Sequence, residues 1–436
     1  MKLKIEKLVY GGEGLARFHV DASERGKTVF VPYTLPEEEV EAEIVEEKQG
    51  FARAKLTQIV KPSASRVEPK CPLFTKCGGC DYQHTNYENQ LALKEQILRE
   101  TLMRTSKIEW KGAIKVHAGE PWQYRNRARF RVAGADGTDT VFGFNRTASS
   151  EVIAVRECPI ISPLIGRALS AMWKTTDASV HDGVEEIEFF TNAEDTELMA
   201  EVMVKGPNMR AMAETLEPWL ARMQSQVPEL RGAGIFPAFG FTGAQDQSWN
   251  ETSLDYLVVG NSYRVSAGSF FQTNRFLVDE MVRAAVGDAE GQTAWDLYAG
   301  VGLFTLALLD RFQKVVAVES SRFAVTDLME NVRVKNKGDF RVESTTTESF
   351  LMKGKTGLRP DFILLDPPRA GLGEKPAKLL AEKGATRISY VSCDPATLAR
   401  DLRVLTGADY KIQEIHLFDL FPQTYHLETV VHLKKS

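Results

Sequence analysis

The sequence predicts a multidomain α/β protein. It divides into a small N-terminal β-barrel over residues 1–61, a central α/β region over 62–265 with a cysteine cluster, and a Rossmann-like domain over 266–436. Three observations predict this. Residues 2–9, 28–32, 39–46 and 51–59 read as short strands separated by Gly11-Gly12-Glu13-Gly14, Gly26, Pro36 and Gly50, the punctuation of a small barrel. Beyond the linker-like Lys61-Pro62-Ser63-Ala64-Ser65, four of the five cysteines stand at 71, 77, 80 and 158. From about 268 the pattern becomes strand, glycine turn, helix and strand, as in a doubly wound sheet.

Between these parts, residues 87–104 read as a helix, and the stretch 85–115 is expected to pack on the C-terminal domain. Residues 116–265 read as alternating strands and amphipathic helices. Apolar residues make up 43% of the chain and charged residues 26%, enough for large cores in two or three domains. Met1-Lys2-Leu3-Lys4-Ile5-Glu6 breaks its apolar residues with charges, so no secretory leader is expected. No apolar run approaches the ~20 residues that span a bilayer. A cytoplasmic location, no membrane partner and reduced cysteines are the expectation. Nothing in the pattern demands a protein partner.

A net charge of −5 excludes a generally basic coat but not a local basic groove. Arg125, Arg127, Arg129 and Arg131 recur at period two, so a strand would place all four on one face. Like charges on one face repel, and an anionic partner such as a phosphate backbone is the expected compensation.

In the C-terminal domain, 293–298 reads as a buried strand and Ala299-Gly300-Val301-Gly302 as a tight turn. A helix over 303–311 follows, then a strand over 314–318 closed by Glu319. Gly300 and Gly302 let the backbone approach a ligand, and Glu319 can accept from ribose hydroxyls. Thr305 stands where a dinucleotide fingerprint has its third glycine, which favours S-adenosylmethionine over a pyrophosphate cofactor. Asp366-Pro367-Pro368-Arg369 closes the apolar run 361–365, so Asp366 should face the pocket at the strand ends. Amino-group methyltransferases commonly carry an aromatic residue where Arg369 stands, and RNA cytosine-C5 enzymes a cysteine in this motif; both are absent here.

Cys393 ends the apolar run 388–393 immediately before Asp394-Pro395 and an expected helix over 396–405, whose N-terminus would favour the thiolate. Downstream, Phe421-Pro422 leads through His426-Leu427 to Glu428, a carboxylate in an otherwise apolar strand, on the face of His426, Val430 and His432. Together with Cys77-Gly78-Gly79-Cys80 before Gln83-His84, and Ser269-Phe270-Phe271-Gln272-Thr273-Asn274, these motifs resemble the RNA uracil-C5 methyltransferase family over essentially the whole chain. The resemblance implies a class I methyltransferase domain with Cys393 as nucleophile and Glu428 as proton acceptor. It also implies Gln272, Tyr298, Glu319 and Asp366 as adenosylmethionine contacts, and an RNA partner for the arginine face and Arg369. Tyr10-Gly11-Gly12-Glu13-Gly14 and Val31-Pro32 resemble the OB-like TRAM module of RNA-modifying enzymes. One departure is Leu303, where many members carry a polar residue, often Asn; the hydrogen bond made there is not expected in this chain.

Uracil C5 is a poor nucleophile, and thiolate addition at C6 converts the ring to an enolate that can attack a sulfonium methyl. A base must then remove the C5 proton before the thiolate can leave. A cysteine, a carboxylate and the donor suffice.

Cys71, Cys77, Cys80 and Cys158 supply four thiolates. Their spacing alone fits a [4Fe–4S] cluster or structural zinc, the zinc held by all four or by three with His84. The family resemblance implies the iron–sulfur cluster, in a structural or RNA-positioning role. The N-terminal module, the cysteine motif and the length resemble the 23S ribosomal RNA members more than the short transfer RNA ones. Transfer RNA, or a non-catalytic assembly factor with a vestigial methyltransferase domain, are the alternatives, Leu303 being the only feature that favours the last.

Overall fold

The computed structural model describes residues 1–18, 26–134, 140–206, 208–238, 247–335, 337–353 and 359–436. Its N-terminal part is a closed five-stranded barrel in the order Lys2–Leu8, Glu13–Phe18, Lys27–Pro32, Phe51–Lys61 and Glu39–Glu47. Alternation puts Leu3, Ile5, Val29, Val31, Val40 and Ala42 inside. The strand Glu13–Phe18 is the one the sequence reading left in a turn. Its inward residues are Gly14 and Ala16, which carry almost no apolar signal. Gly14 is needed there because a Cβ would stand 2.1 Å from the Thr34 hydroxyl.

The central part is a seven-stranded sheet, with Arg127–Ala133 paired antiparallel to Val184–Thr191. Helices Pro163–Thr175 and Met209–Gln226 contribute Leu164, Leu169, Leu216, Trp219 and Leu220 to the core against it.

The C-terminal part is an eight-stranded sheet. Asp339–Ser344, Phe312–Glu319, Gly291–Leu297, Phe362–Leu365 and Arg387–Ser392 run parallel, followed by Glu428–Lys435, Tyr410–Phe418 and Ile114–His117. Strand order reverses between Gly291–Leu297 and Phe362–Leu365, so their carboxyl ends diverge to leave a crevice. Two segments from outside 266–436 complete this body. The hairpin Ser253–Val258 and Asn261–Ser266 buries Leu254, Tyr256, Tyr263 and Val265 in the core shared with Met281 and Phe304, so the structural division falls nearer 252 than 265. Helix Tyr87–Thr101 buries Leu93, Ile97 and Leu98 in the second core of that body, and Ile114–His117 forms the sheet edge.

That helix also grips the segment leading to Glu428. Lys94 Nζ lies 2.6 Å from Asp419 Oδ1, with both side chains fully buried, and donates to the Phe421 carbonyl at 3.0 Å. The Gln90 amide donates to Gln423 Oε1 at 3.0 Å and accepts from the Gln423 N–H at 3.0 Å. Lys94→Met leaves Asp419 buried without its cation and is expected to cost about 3–5 kcal/mol, because an uncompensated charge then remains in the interior. Urea unfolding followed by intrinsic fluorescence checks this, and Lys94→Met/Asp419→Leu should recover most of the loss.

Candidate active site and cysteine cavity

Three strand ends build the cofactor side. After Gly291–Leu297 the backbone turns through Tyr298, Gly300 and Gly302, all at positive φ (63°, 55° and 92°). A Cβ at Gly302 would stand 2.6 Å from Leu328, whereas Gly300 opens on free space, as a ligand-facing turn requires. Glu319 closes the next strand; its carboxylate accepts from Gly300 N–H at 2.9 Å and from Ser320 and Ser321 N–H at 2.7 Å. Thr305, in place of a third glycine, donates its hydroxyl to buried Asp296 at 2.5 Å and begins a short helix, Thr305–Leu308, rather than the longer one expected. Leu303 packs in the apolar core and gives its carbonyl to the Tyr263 hydroxyl at 2.9 Å.

Asp366 follows Phe362–Leu365 and accepts from the Gln272 amide at 3.3 Å. The strap 269–274 that carries Gln272 is tied down by Asn126, which donates to the Gln272 carbonyl, and by Arg127, which donates to that of Ser269. One cavity of about 610 Å³ is lined by Gln272, Tyr298, Gly300, Glu319 and Asp366, the residues expected to contact a cofactor, and also by Cys393, Glu428, Arg369 and Arg125.

Strand pairing brings the ends that carry Cys393 and Glu428 together. Arg387 faces Lys434, and the antiparallel ladder continues to Ser392 opposite Thr429. Cys393 and Glu428 are the residues just beyond that last pair; both line the cavity, close enough for Glu428 to act on the thiol. Glu428 is 4% exposed, which rejects a solvent-facing carboxylate. His426 lies outside that strand and lines the cavity, its ring against Tyr425 and 3.5 Å from the Arg369 guanidinium.

Burial governs the charges. It pushes Asp366 up to about 7, the Gln272 hydrogen bond opposing. Burial and then Asp366 hold Glu428 well above the ordinary carboxylate range, against Arg369. Burial, then Glu428 and Asp366, push the Cys393 thiol up to about 12. Helix Pro395–Thr406 does begin there, with the Asp394 carboxylate capping the N–H groups of Ala396 and Thr397 at 3.0 and 2.9 Å, but burial and the Glu428 and Asp366 carboxylates outweigh any help the helix N-terminus gives the thiolate. Burial and Arg369 lower His426 to about 4, so it is neutral at ordinary pH.

The arginines divide. Arg127, Arg129 and Arg131 share one face of their strand, but their compensation is internal. Arg127 and Arg129 pair with Glu188 at 3.2 and 2.9 Å, and Arg131 with Glu186 at 2.7 Å. The argument from like-charge repulsion to a phosphate backbone therefore fails for these three. Arg125 precedes the strand and, with Arg369, reaches the catalytic cavity.

A second cavity, of about 480 Å³, is lined by Cys71, Cys77, Cys80 and Cys158, all free thiols. Gln83 accepts from the Cys71 N–H at 3.0 Å. Among the described residues no three His, Cys, Asp or Glu side chains meet so as to hold a single metal ion. His84 is not part of the lining; it packs on Phe74, which removes it from the zinc set considered from sequence.

A crevice at reversed strand order and a glycine turn with an acidic strand end define a class I methyltransferase fold. The profile of the tRNA (uracil-5-)-methyltransferase family matches residues 86–436, and that of the TRAM domain residues 1–57. The chain belongs to this family and is an RNA methyltransferase. It is 31% identical to an uncharacterized RNA methyltransferase of Aquifex aeolicus, over 100% of this chain and 98% of that one. With an uncharacterized RNA methyltransferase of Streptomyces coelicolor it shares 32% identity over 100% and 93%. The crystal structure of Pyrococcus abyssi tRNA (uracil-54, C5)-methyltransferase in complex with S-adenosyl-L-homocysteine is similar, with TM-score 0.75 and 25% identity, covering 99% of this chain and 100% of that one.

The thiolate is the reactive form, and the Cys393 pKa is raised, so its reactivity should climb with pH past the range where ordinary thiols level off. Alkylation of Cys393 by iodoacetamide, read by peptide mass analysis, is expected to rise about tenfold per unit between about pH 8 and pH 10. A plateau near pH 9 would contradict the burial argument.

Proposed function

We propose that this RNA uracil-C5 methyltransferase modifies ribosomal RNA through a Cys393–C6 adduct, with Glu428 removing the C5 proton. The observation that supports it is that Cys393 and Glu428, just beyond the last pair of two neighbouring strands, line one cavity with Gln272, Tyr298, Gly300, Glu319 and Asp366. The Cys393 thiolate forms a bond to C6, and the C5–C6 electron pair moves toward the C4 oxygen. S-adenosylmethionine supplies an electrophilic methyl, which C5 takes as S-adenosylhomocysteine leaves. Glu428 accepts the C5 proton, and the returning electrons expel the Cys393 thiolate. A carboxylate of raised pKa is a stronger base for that step. The sulfonium charge and Arg369 favour ionised Cys393 and Glu428, so the bound donor offsets the cost of burial.

The N-terminal barrel, the cysteine motif and the length support ribosomal RNA. A transfer RNA substrate is the second reading, favoured by the likeness to the P. abyssi enzyme over that chain's whole length. Unmodified ribosomal and transfer RNA pools, methylated separately and digested to nucleosides, separate the two. 5-Methyluridine from the ribosomal pool is expected, and product from transfer RNA alone would select the other. Cys393→Ala should bind both substrates and make no product. Glu428→Gln should accumulate a protein–RNA adduct that survives denaturation, because its proton acceptor is gone.

The same proposal includes a [4Fe–4S] cluster on Cys71, Cys77, Cys80 and Cys158. Four soft donors around one void suit a multi-atom cluster better than a zinc ion, whose ligands close at about 2.3 Å. Methyl transfer needs no electron, so the cluster's role is to hold the loop 71–84. Anaerobically purified protein is expected to contain iron and acid-labile sulfide in equal amounts. Cys77→Ala should lose both along with folding stability or methylation rate, and unchanged values of the latter two would exclude the role.

A further inference from the structure

The tip of the barrel's first hairpin reaches the nucleophile. Tyr10 lies between the strands Lys2–Leu8 and Glu13–Phe18, and its hydroxyl donates to the Cys393 carbonyl at 3.4 Å, near the Asp394 carboxylate. Its ring stands edge-on to Tyr425 at 5.4 Å, and Tyr425 lies 4.3 Å from His426, ring centre to ring centre. The approach is tight. Gly12, at φ +87°, packs so closely on the cysteine loop that a Cβ would stand 3.1 Å from that of Asp81. Asp81 in turn accepts from the Tyr425 N–H at 3.3 Å, and the N–H groups of Asp81 and Tyr82 both donate to the Gln423 carbonyl at 2.9 Å. Leu8 and Leu35 enter the catalytic core, so the barrel is anchored against this region.

A module that only collected RNA would need no contact with the peptide of Cys393. We propose that Tyr10 is a positioning residue for the adduct step: the barrel holds the 393–394 peptide and Tyr425 so that the Cys393 thiol meets C6 of the target uracil. The proposal rests on the adduct reading above. It makes the barrel part of the catalytic scaffold, since attack by a nucleophile depends steeply on its placement.

RNA carrying 5-fluorouridine tests it, because fluorine at C5 cannot leave as a proton and the methylated adduct accumulates. Tyr10→Phe keeps the ring against Tyr425 and removes the hydroxyl. Its adduct is expected to form about fivefold more slowly, the factor of one net hydrogen bond. Affinity for S-adenosylhomocysteine should be unchanged, as should RNA affinity measured in a Cys393→Ala background. Tyr10→Ala should be slower again. Adduct formation by Tyr10→Phe at the rate of the unaltered protein overturns the proposal, as does a loss of RNA affinity that accounts for the slower rate. If the unaltered protein forms no adduct, the adduct reading itself has failed.

Discussion

The active site depends on the register between two neighbouring strands, Arg387–Ser392 and Glu428–Lys435. Side chains alternate along a strand, so a slip of one residue would turn Glu428 away from the thiol and out of the cavity. Both strands are central, and Glu428–Lys435 is also paired antiparallel to Tyr410–Phe418, which fixes it from its other side. The connection 419–427 is held in turn by Gln90, Lys94 and Asp81, from segments more than 300 residues earlier in the chain. The buried Lys94–Asp419 pair adds little net stability as a pair. Its effect is to tie residues 419–421 to helix Tyr87–Thr101 through Asp419 and the Phe421 carbonyl.

Burial has a cost and a use. Three acidic groups, Cys393, Asp366 and Glu428, share a desolvated cavity, with the Arg369 guanidinium partly opposing the shifts of Cys393 and Glu428. Before the cationic donor arrives, the neutral forms are favoured and the thiol is a weak nucleophile. In the proposed adduct mechanism, binding of a sulfonium would reverse the balance and couple activation of the thiol to occupancy of the methyl-donor site.

Much of this was readable from sequence. Asp366, Glu319 and Cys393 announce themselves as polar residues ending apolar runs, and each stands at or just beyond a strand end. Four of five barrel strands were legible; Glu13–Phe18 was hidden by its small inward residues. The arginine face was correctly periodic, yet its partners were not visible, because one strand does not reveal which neighbour it will pair with. Glu186 and Glu188 alternate in the sequence and could have been matched to the arginines had the pairing been known. The direction of the Cys393 shift was not legible because sequence shows the helix start at Asp394 but not the burial, or the Glu428 and Asp366 carboxylates, that push the thiol up. The grip on residues 419–425 left no signal at all, since it exists only once the chain has folded across its full length.

The most direct test of the central claim is the order of methyl transfer and proton loss, followed with RNA bearing tritium at uridine C5 and labelled S-adenosylmethionine. The protein is expected to release one tritium for each methyl group gained. Glu428→Gln is expected to gain methyl while tritium stays on the RNA. Equal release of tritium and gain of methyl by Glu428→Gln would show that another group removes the proton and would contradict the pairing of Cys393 with Glu428.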